Sequence, residues 1–170
     1  MNGQRPPIRE WPPEDRPRER FLTKGADALS DAECLALLLG GGGPGQTALD
    51  QAQALLATFG SHLESLKKEV FRVALLDSQN GLLRDVQVSE GSLSASIVHP
   101  REVFRTAILE ATAHLILVHN HPSGDPTPSK EDVHLTRQLV EGARLLGLRV
   151  HDHVIIGRGS HVSLAQRGLL

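Results

Sequence analysis

The sequence predicts an α/β (α+β) fold, a mixed β-sheet flanked by helices, preceded by a small helical unit at the N-terminus. Three observations carry this. The periodicity changes at Glu69 from a helical pattern to β-rich runs. The near-continuous apolar stretch "HLILVH", residues 114–119, reads as a buried strand. After a polar loop, a long helix over 129–146 and the strand-like "LRVHDHVIIG" over 148–157 follow it.

Taken in order, residues 1–17, "MNGQRPPIREWPPEDRP", are too proline-rich for regular structure and read as an extended arm. Residues 18–68 form the helical unit. Ser30 with Glu33 has the spacing of a capping box ahead of "CLALLLG", and "GGGGPG" at 40–45 ends that helix. Thr47 caps a second helix that stops at Gly60, and Ser61 with Glu64 repeats the box. Residues 69–170 are the main domain. "EVFRVALLD" and "LLRDVQVSEG" pair as a hairpin about the Asn-Gly of "SQNG", and "SASIV" adds a strand. Pro100 starts a helix with Val103, Phe104, Ala107, Ile108 and Ala111 on one face. The long helix is stopped by Gly147, and "SHVSL" is a last short strand.

Composition narrows the function. At 170 residues, 39% hydrophobic and net charge -2, the chain is neither disordered nor a strongly basic nucleic-acid binder. The basic residues of its first 24, Arg5, Arg9, Arg16, Arg18, Arg20 and Lys24, alternate with Glu10, Glu14, Asp15 and Glu19, as on a solvated surface. Aromatic residues make up only 3%, too few for a base-stacking platform. Cys34 is the only cysteine, which excludes internal disulfides and cysteine-based zinc sites and points to a reducing compartment; it reads as a helical core residue. No signal-peptide or membrane-spanning pattern is seen, so the expectation is cytoplasmic, without membrane partners.

The chemistry sits in "HNHPSGDPTPSKED", residues 119–132. Nine histidines give about half a His-x-His pair by chance, yet two occur, His119/His121 and His151/His153. Side chains two apart on a strand share a face, so His119 and His121 can aim at one point. Asp132 becomes a third corner if the loop folds back. Two imidazoles and a carboxylate, with a fourth position left to water, make the ligand set of a catalytic zinc site. Asp132 has a second reading, because Ser-x-x-Asp at 129–132 is also a helix-capping pattern. Asn120 should point to the opposite side and bond the loop backbone. Asp125 reads as an Asx turn. His151 and His153 read as buried or ligand-supporting residues ahead of a second metal site. His99, His114, His134 and His161 read as packing or surface residues. The glycine run lacks the end of a phosphate loop.

His119, His121, Ser129 and Asp132 match the His-x-His-x7-Ser-x2-Asp signature of the JAMM (MPN+) metalloproteases without a mismatch. "VHPREVFRTAILEATAHLILVHNHPSGDPTPSKEDV", "LLGLRVHDHVIIG" and "EDRPRERFLTKGADALSDAE" resemble bacterial RadC-family proteins over nearly the whole chain. The resemblance implies a JAMM/MPN, cytidine-deaminase-like fold and one divalent ion, zinc, on His119, His121 and Asp132. It implies hydrolysis of a peptide or isopeptide bond, in a family tied by name to DNA repair. Glu69 corresponds to the family's catalytic glutamate, a general base and then acid. Glu102 is a rival nearer in sequence, although acidic residues are common in a first helical turn. Ser129 corresponds to the oxyanion donor. RadC-like proteins usually carry a helix-hairpin-helix segment before the domain; here "LLATFGSHLESLKKEVFRVALLD" runs almost directly into the first strand, which removes that route to DNA. Three functions follow: a peptidase with a peptide or protein substrate, a nuclease using the same site on DNA, and a non-enzymatic module in which metal steadies the loop. A second metal near His151/His153 or a basic groove leading to His119 would favour the nuclease. The sequence does not fix the oligomeric state.

Overall fold

A computed structural model describes residues 6–24, 28–30, 32–33, 36–37, 63–91 and 98–170. Cys34, the glycine run and the predicted helix over 47–60 lie outside these residues, as does the predicted strand over 94–98 except for the buried Val98. A short helix α1 (Pro17–Lys24) precedes β1 (Glu69–Leu76), β2 (Leu82–Gly91), α2 (Pro100–Leu109), β3 (His114–Asn120), α3 (Lys130–Leu145), β4 (Arg149–Ile156) and β5 (His161–Ser163). The five strands form one mixed sheet in the order β2-β1-β3-β4-β5. Among the described strands only the β3/β4 pair is parallel, joined by a long connection through α3; β1/β2, β1/β3 and β4/β5 are antiparallel.

Both faces of the sheet are covered. Phe71, Val73, Leu75, Leu115 and Leu117 pack under Val103, Phe104 and Ala107 of α2 and Leu139 and Ala143 of α3. On the other face Val70, Ala74, Leu76, Ile116 and Val118 meet Ala36 and Leu63, with Ile8 and Trp11 against them. Two-sided burial explains why β3 and β4 read as nearly continuous apolar runs.

The structure refines several expectations. Where an extended arm is predicted, Ile8–Glu10 and Pro13–Asp15 form 3-10 turns, and the Trp11 indole donates to Pro6 O at 2.9 Å, which lays the ring on the core. The Ser30/Glu33 capping box is formed, with Ser30 N donating to Glu33 Oε2 at 2.8 Å. The β1–β2 hairpin turns through a longer loop than a two-residue Asn-Gly turn. Asp77 organises it, accepting from Gln79 N and Gly81 N at 2.8 Å. The apolar face of α2 is narrower than predicted, because the helix ends at Leu109, Ala111 takes a left-handed φ of 49°, and Ile108 turns outward. At the end of α3, Gly147 adopts φ +72°, and Leu148 N returns to Ala143 O at 2.9 Å.

Candidate metal centre

Strand register places the histidines. β1 and β3 pair with Phe71 opposite His119, the last rung of that antiparallel ladder; Glu69 lies two residues back along β1, where the charges of His119, Asp132 and His121 reach its carboxyl. By alternation Glu69, Phe71 and His119 share the sheet face that packs against α3. His119 is buried in the sheet, and His121 lies just beyond its end, its N–H donating to Ile156 O at 2.9 Å.

The loop folds back as the sequence requires. Gly124 N donates to His121 O at 2.9 Å, Arg158 N to Gly124 O at 2.8 Å, and Thr127 N to Asp125 Oδ1 at 2.9 Å, the predicted Asx turn. Loop and strand end meet closely: a Cβ on Gly157 would stand 2.5 Å from Gly124 O and 2.6 Å from Pro126 Cδ. This fold brings the first turn of α3 over the histidines. Its capping box is complete, with Asp132 N donating to Ser129 Oγ at 3.0 Å and Ser129 N to Asp132 Oδ2 at 2.7 Å.

His119, His121 and Asp132 converge and could hold a metal ion, while Asp132 also closes the capping box. His119 Nε2 lies 3.0 Å from His121 Nε2 and 3.3 Å from Asp132 Oδ1, and His121 Nε2 lies 3.3 Å from Asp132 Oδ2. Ligand atoms on a tetrahedral zinc, at 2.0–2.1 Å from the ion, stand about 3.3 Å apart. The spacing therefore fits a divalent cation. The donors fit as well: His121 Nδ1 donates to Asp125 O at 2.8 Å, which turns Nε2 toward the centre. Burial pushes the Asp132 carboxyl up, but its contacts with the His119 and His121 rings and a hydrogen bond from Ser129 hold it far below the usual carboxylate range. The carboxylate is thus kept ionised, as a metal ligand must be.

Glu69 is half-buried at the start of β1. Burial raises its carboxyl above the usual range, and the charges of His119, Asp132 and His121 all act on it. Glu102 is exposed in the first turn of α2 and pairs with Arg101 Nε at 3.2 Å. Ser129 donates its hydroxyl hydrogen to Asp132 Oδ2 at 2.6 Å, so a role toward substrate requires that hydrogen to turn away.

Three supporting residues emerge from the structure. Asn120 points to the opposite sheet face, as expected, but its partners are the chain at β1 rather than the loop: Oδ1 accepts from Val70 N at 2.8 Å and Nδ2 donates to Lys68 O at 3.0 Å. His153, fully buried on β4, meets His119 Nδ1 through its Nε2 at 2.8 Å and Thr136 Oγ1 through its Nδ1 at 2.6 Å. Its neighbour His151 faces elsewhere and bonds Asn80 Oδ1 at 2.8 Å. The second His-x-His pair was the signal for His153, but only the β3/β4 register says which ring meets the site.

The RadC-like JAB domain family matches residues 49–169, and the UPF0758 N-terminal family matches residues 8–82. The chain belongs to the RadC-like JAB-domain family. Curated relatives named UPF0758 protein include one from Pelobacter propionicus, 40% identical over 227 aligned positions that cover 97% of this chain and 99% of the relative. Another, from Geotalea uraniireducens, is 41% identical over 224 positions and covers 96% and 98%. A third, from Methanosarcina acetivorans, is 36% identical over 221 positions, 96% of each. These alignments are longer than the chain's 170 residues, so the relatives hold residues opposite gaps in this sequence. For a RadC-like JAB domain, the His119, His121 and Asp132 cluster is a coarse match to metal-dependent hydrolysis. Among the described residues no helix is long and apolar enough to cross a membrane.

Proposed function

We propose that this RadC-like chain is a zinc-dependent hydrolase of peptide or isopeptide bonds. One observation carries the reading: two imidazole nitrogens and a carboxylate meet at cation-ligand spacing on the sheet face where Glu69 also stands. A structural site needs the first three groups and has no use for the fourth. When bound, the divalent ion supplies an acidified water and a Lewis acid. Glu69 takes the water's proton on its carboxylate and returns it to the leaving amine. Its burial favours that work, because a carboxyl raised above its ordinary range is a stronger base near neutrality. Ser129 donates to the developing oxyanion once its hydroxyl releases Asp132.

The nuclease reading gains no support from His151 and His153. Both rings are engaged, with Asn80 and with His119 and Thr136, and the one metal-competent cluster among the described residues is the site itself.

The test is metal analysis with parallel assays on a peptide library, an isopeptide-linked pair and DNA. Glu69→Gln should retain zinc and lose turnover, whereas His119→Ala or Asp132→Ala should lose zinc. Peptide turnover surviving in Glu69→Gln would remove that residue as the base. DNA cleavage that depends on Glu69, with no peptide turnover, would reverse the choice of substrate.

A further inference from the structure

We infer that Thr136 and His153 form a buried hydrogen-bond chain that starts at the main-chain carbonyl of Asp132 and ends on the His119 ring, fixing that ring with Nδ1 protonated and Nε2 bare toward the metal position. Both are positioning residues. The inference deepens the metal-site reading and rests on it.

The direction of the chain follows from one acceptor that cannot donate. Thr136 Oγ1 lies 2.6 Å from Asp132 O, and a carbonyl only accepts, so the single hydroxyl hydrogen of Thr136 points there. Thr136 Oγ1 can then only accept at its other short contact, 2.6 Å from His153 Nδ1, which must carry the hydrogen. The His153 ring is fully buried and no carboxylate is hydrogen-bonded to it, so it is neutral and its Nε2 holds a lone pair. That lone pair accepts from His119 Nδ1 at 2.8 Å. With Nδ1 donating, His119 turns Nε2 toward the centre as an acceptor, 3.0 Å from His121 Nε2. His121 Nδ1 likewise donates, to the Asp125 carbonyl at 2.8 Å.

Packing holds the chain in place. His153 pairs with Leu117 in the β3/β4 ladder, and Phe71 stacks on His119 at 5.9 Å and meets His153 edge-on at 5.4 Å. Thr136 stands one turn below Asp132 on the buried stripe of α3 that continues to Leu139 and Ala143. Because the chain starts on a ligand residue's own peptide group, the position of α3 and the tautomer of His119 are linked.

The experiment is nitrogen NMR of the histidine rings in metal-free full-length protein, assigned through site-specific histidine variants, together with zinc affinity by chelator competition. In the wild type, His119 and His153 should both read as Nδ1-protonated. Thr136→Val keeps the shape but removes the acceptor, so His153 should move its hydrogen to Nε2, His119 should lose its fixed tautomer, and zinc affinity should fall by about 10–100-fold. Thr136→Ser should restore both. A purely packing role for Thr136 predicts no change on Thr136→Val, and that result overturns the inference. So does a wild-type spectrum with His119 protonated on Nε2, which decides the matter even if Thr136→Val does not fold. Failure of the wild type to bind zinc counts against the hydrolase reading, while the metal-free spectrum still judges the hydrogen-bond chain.

Discussion

Asn120 clamps the peptide groups on either side of Glu69. Its amide accepts from Val70 N at 2.8 Å and donates to Lys68 O at 3.0 Å, across the sheet face that carries no chemistry. A strand end held by one backbone ladder would fray; this one is tied to the residue between His119 and His121. Asn120→Ala leaves two backbone groups unpaired, which costs about 1–3 kcal/mol for each that stays buried. The expected result is a clear fall in kcat with zinc content unchanged, read by steady-state kinetics beside metal analysis. Loss of zinc with kcat per bound ion preserved would show that Asn120 serves the ligands instead of the base.

Ser129 has two duties, and they separate experimentally. Ser129→Ala removes an N-cap worth about 1 kcal/mol of stability. If the hydroxyl also serves the oxyanion, turnover should fall by about 10²–10³-fold, with a much smaller change in KM. A variant that loses the stability and keeps kcat would confine Ser129 to capping.

Gly157 is where the loop rests against the end of β4. A methyl group there meets Gly124 O at 2.5 Å and Pro126 Cδ at 2.6 Å, both parts of the backbone or a rigid ring. Gly157→Ala should cost about 1–3 kcal/mol as an overpacked contact. It should also weaken zinc binding, because the displaced loop carries the Asp125 carbonyl that orients His121. Chelator competition checks this. Unchanged affinity would mean the loop moves without its ligand.

Burial lowers the His151 ring to about 4, helped by the charges of His114 and Arg149. Asn80 Oδ1 accepts from its Nε2, and the His114 ring lies 4.6 Å away. The unfolded chain takes up this proton below about pH 6.5 and the folded chain only near 4, so the contribution of His151 to stability is present at neutral pH and lost as pH falls through that window. His121, raised by its bond to Asp132, acts with the opposite sign. Urea unfolding of the wild type against His151→Gln, which keeps a donor toward Asn80, isolates the effect. The wild type should lose more stability between pH 6.5 and pH 4; parallel profiles would assign the pH dependence to other groups.

What was legible in the sequence is what depends on local order. Strand periodicity gave the sheet, and His119, His121 and Asp132 were legible because a strand, a turn and a capped helix bring them together within fourteen residues. Asn120 was placed on the correct side by strand alternation, yet its partners lie about fifty residues away. The His153 contact depends on which rung of β4 faces which rung of β3, and a slip of one residue would have put Asp152 or Val154 in its place. Thr136 was silent, since a threonine inside an amphipathic helix shows its partner only after the helix is docked.

Asp132 closes the first turn of α3 and also completes the cluster of ligating atoms. Protonation, which weakens that carboxylate as an acceptor for Ser129, must loosen the same turn, and a bound ion, by holding the carboxylate, must steady it. Amide hydrogen exchange at Glu131, Asp132 and Val133 therefore serves as a gauge of occupancy: slow when an ion sits in the centre, faster once it departs, with no substrate required.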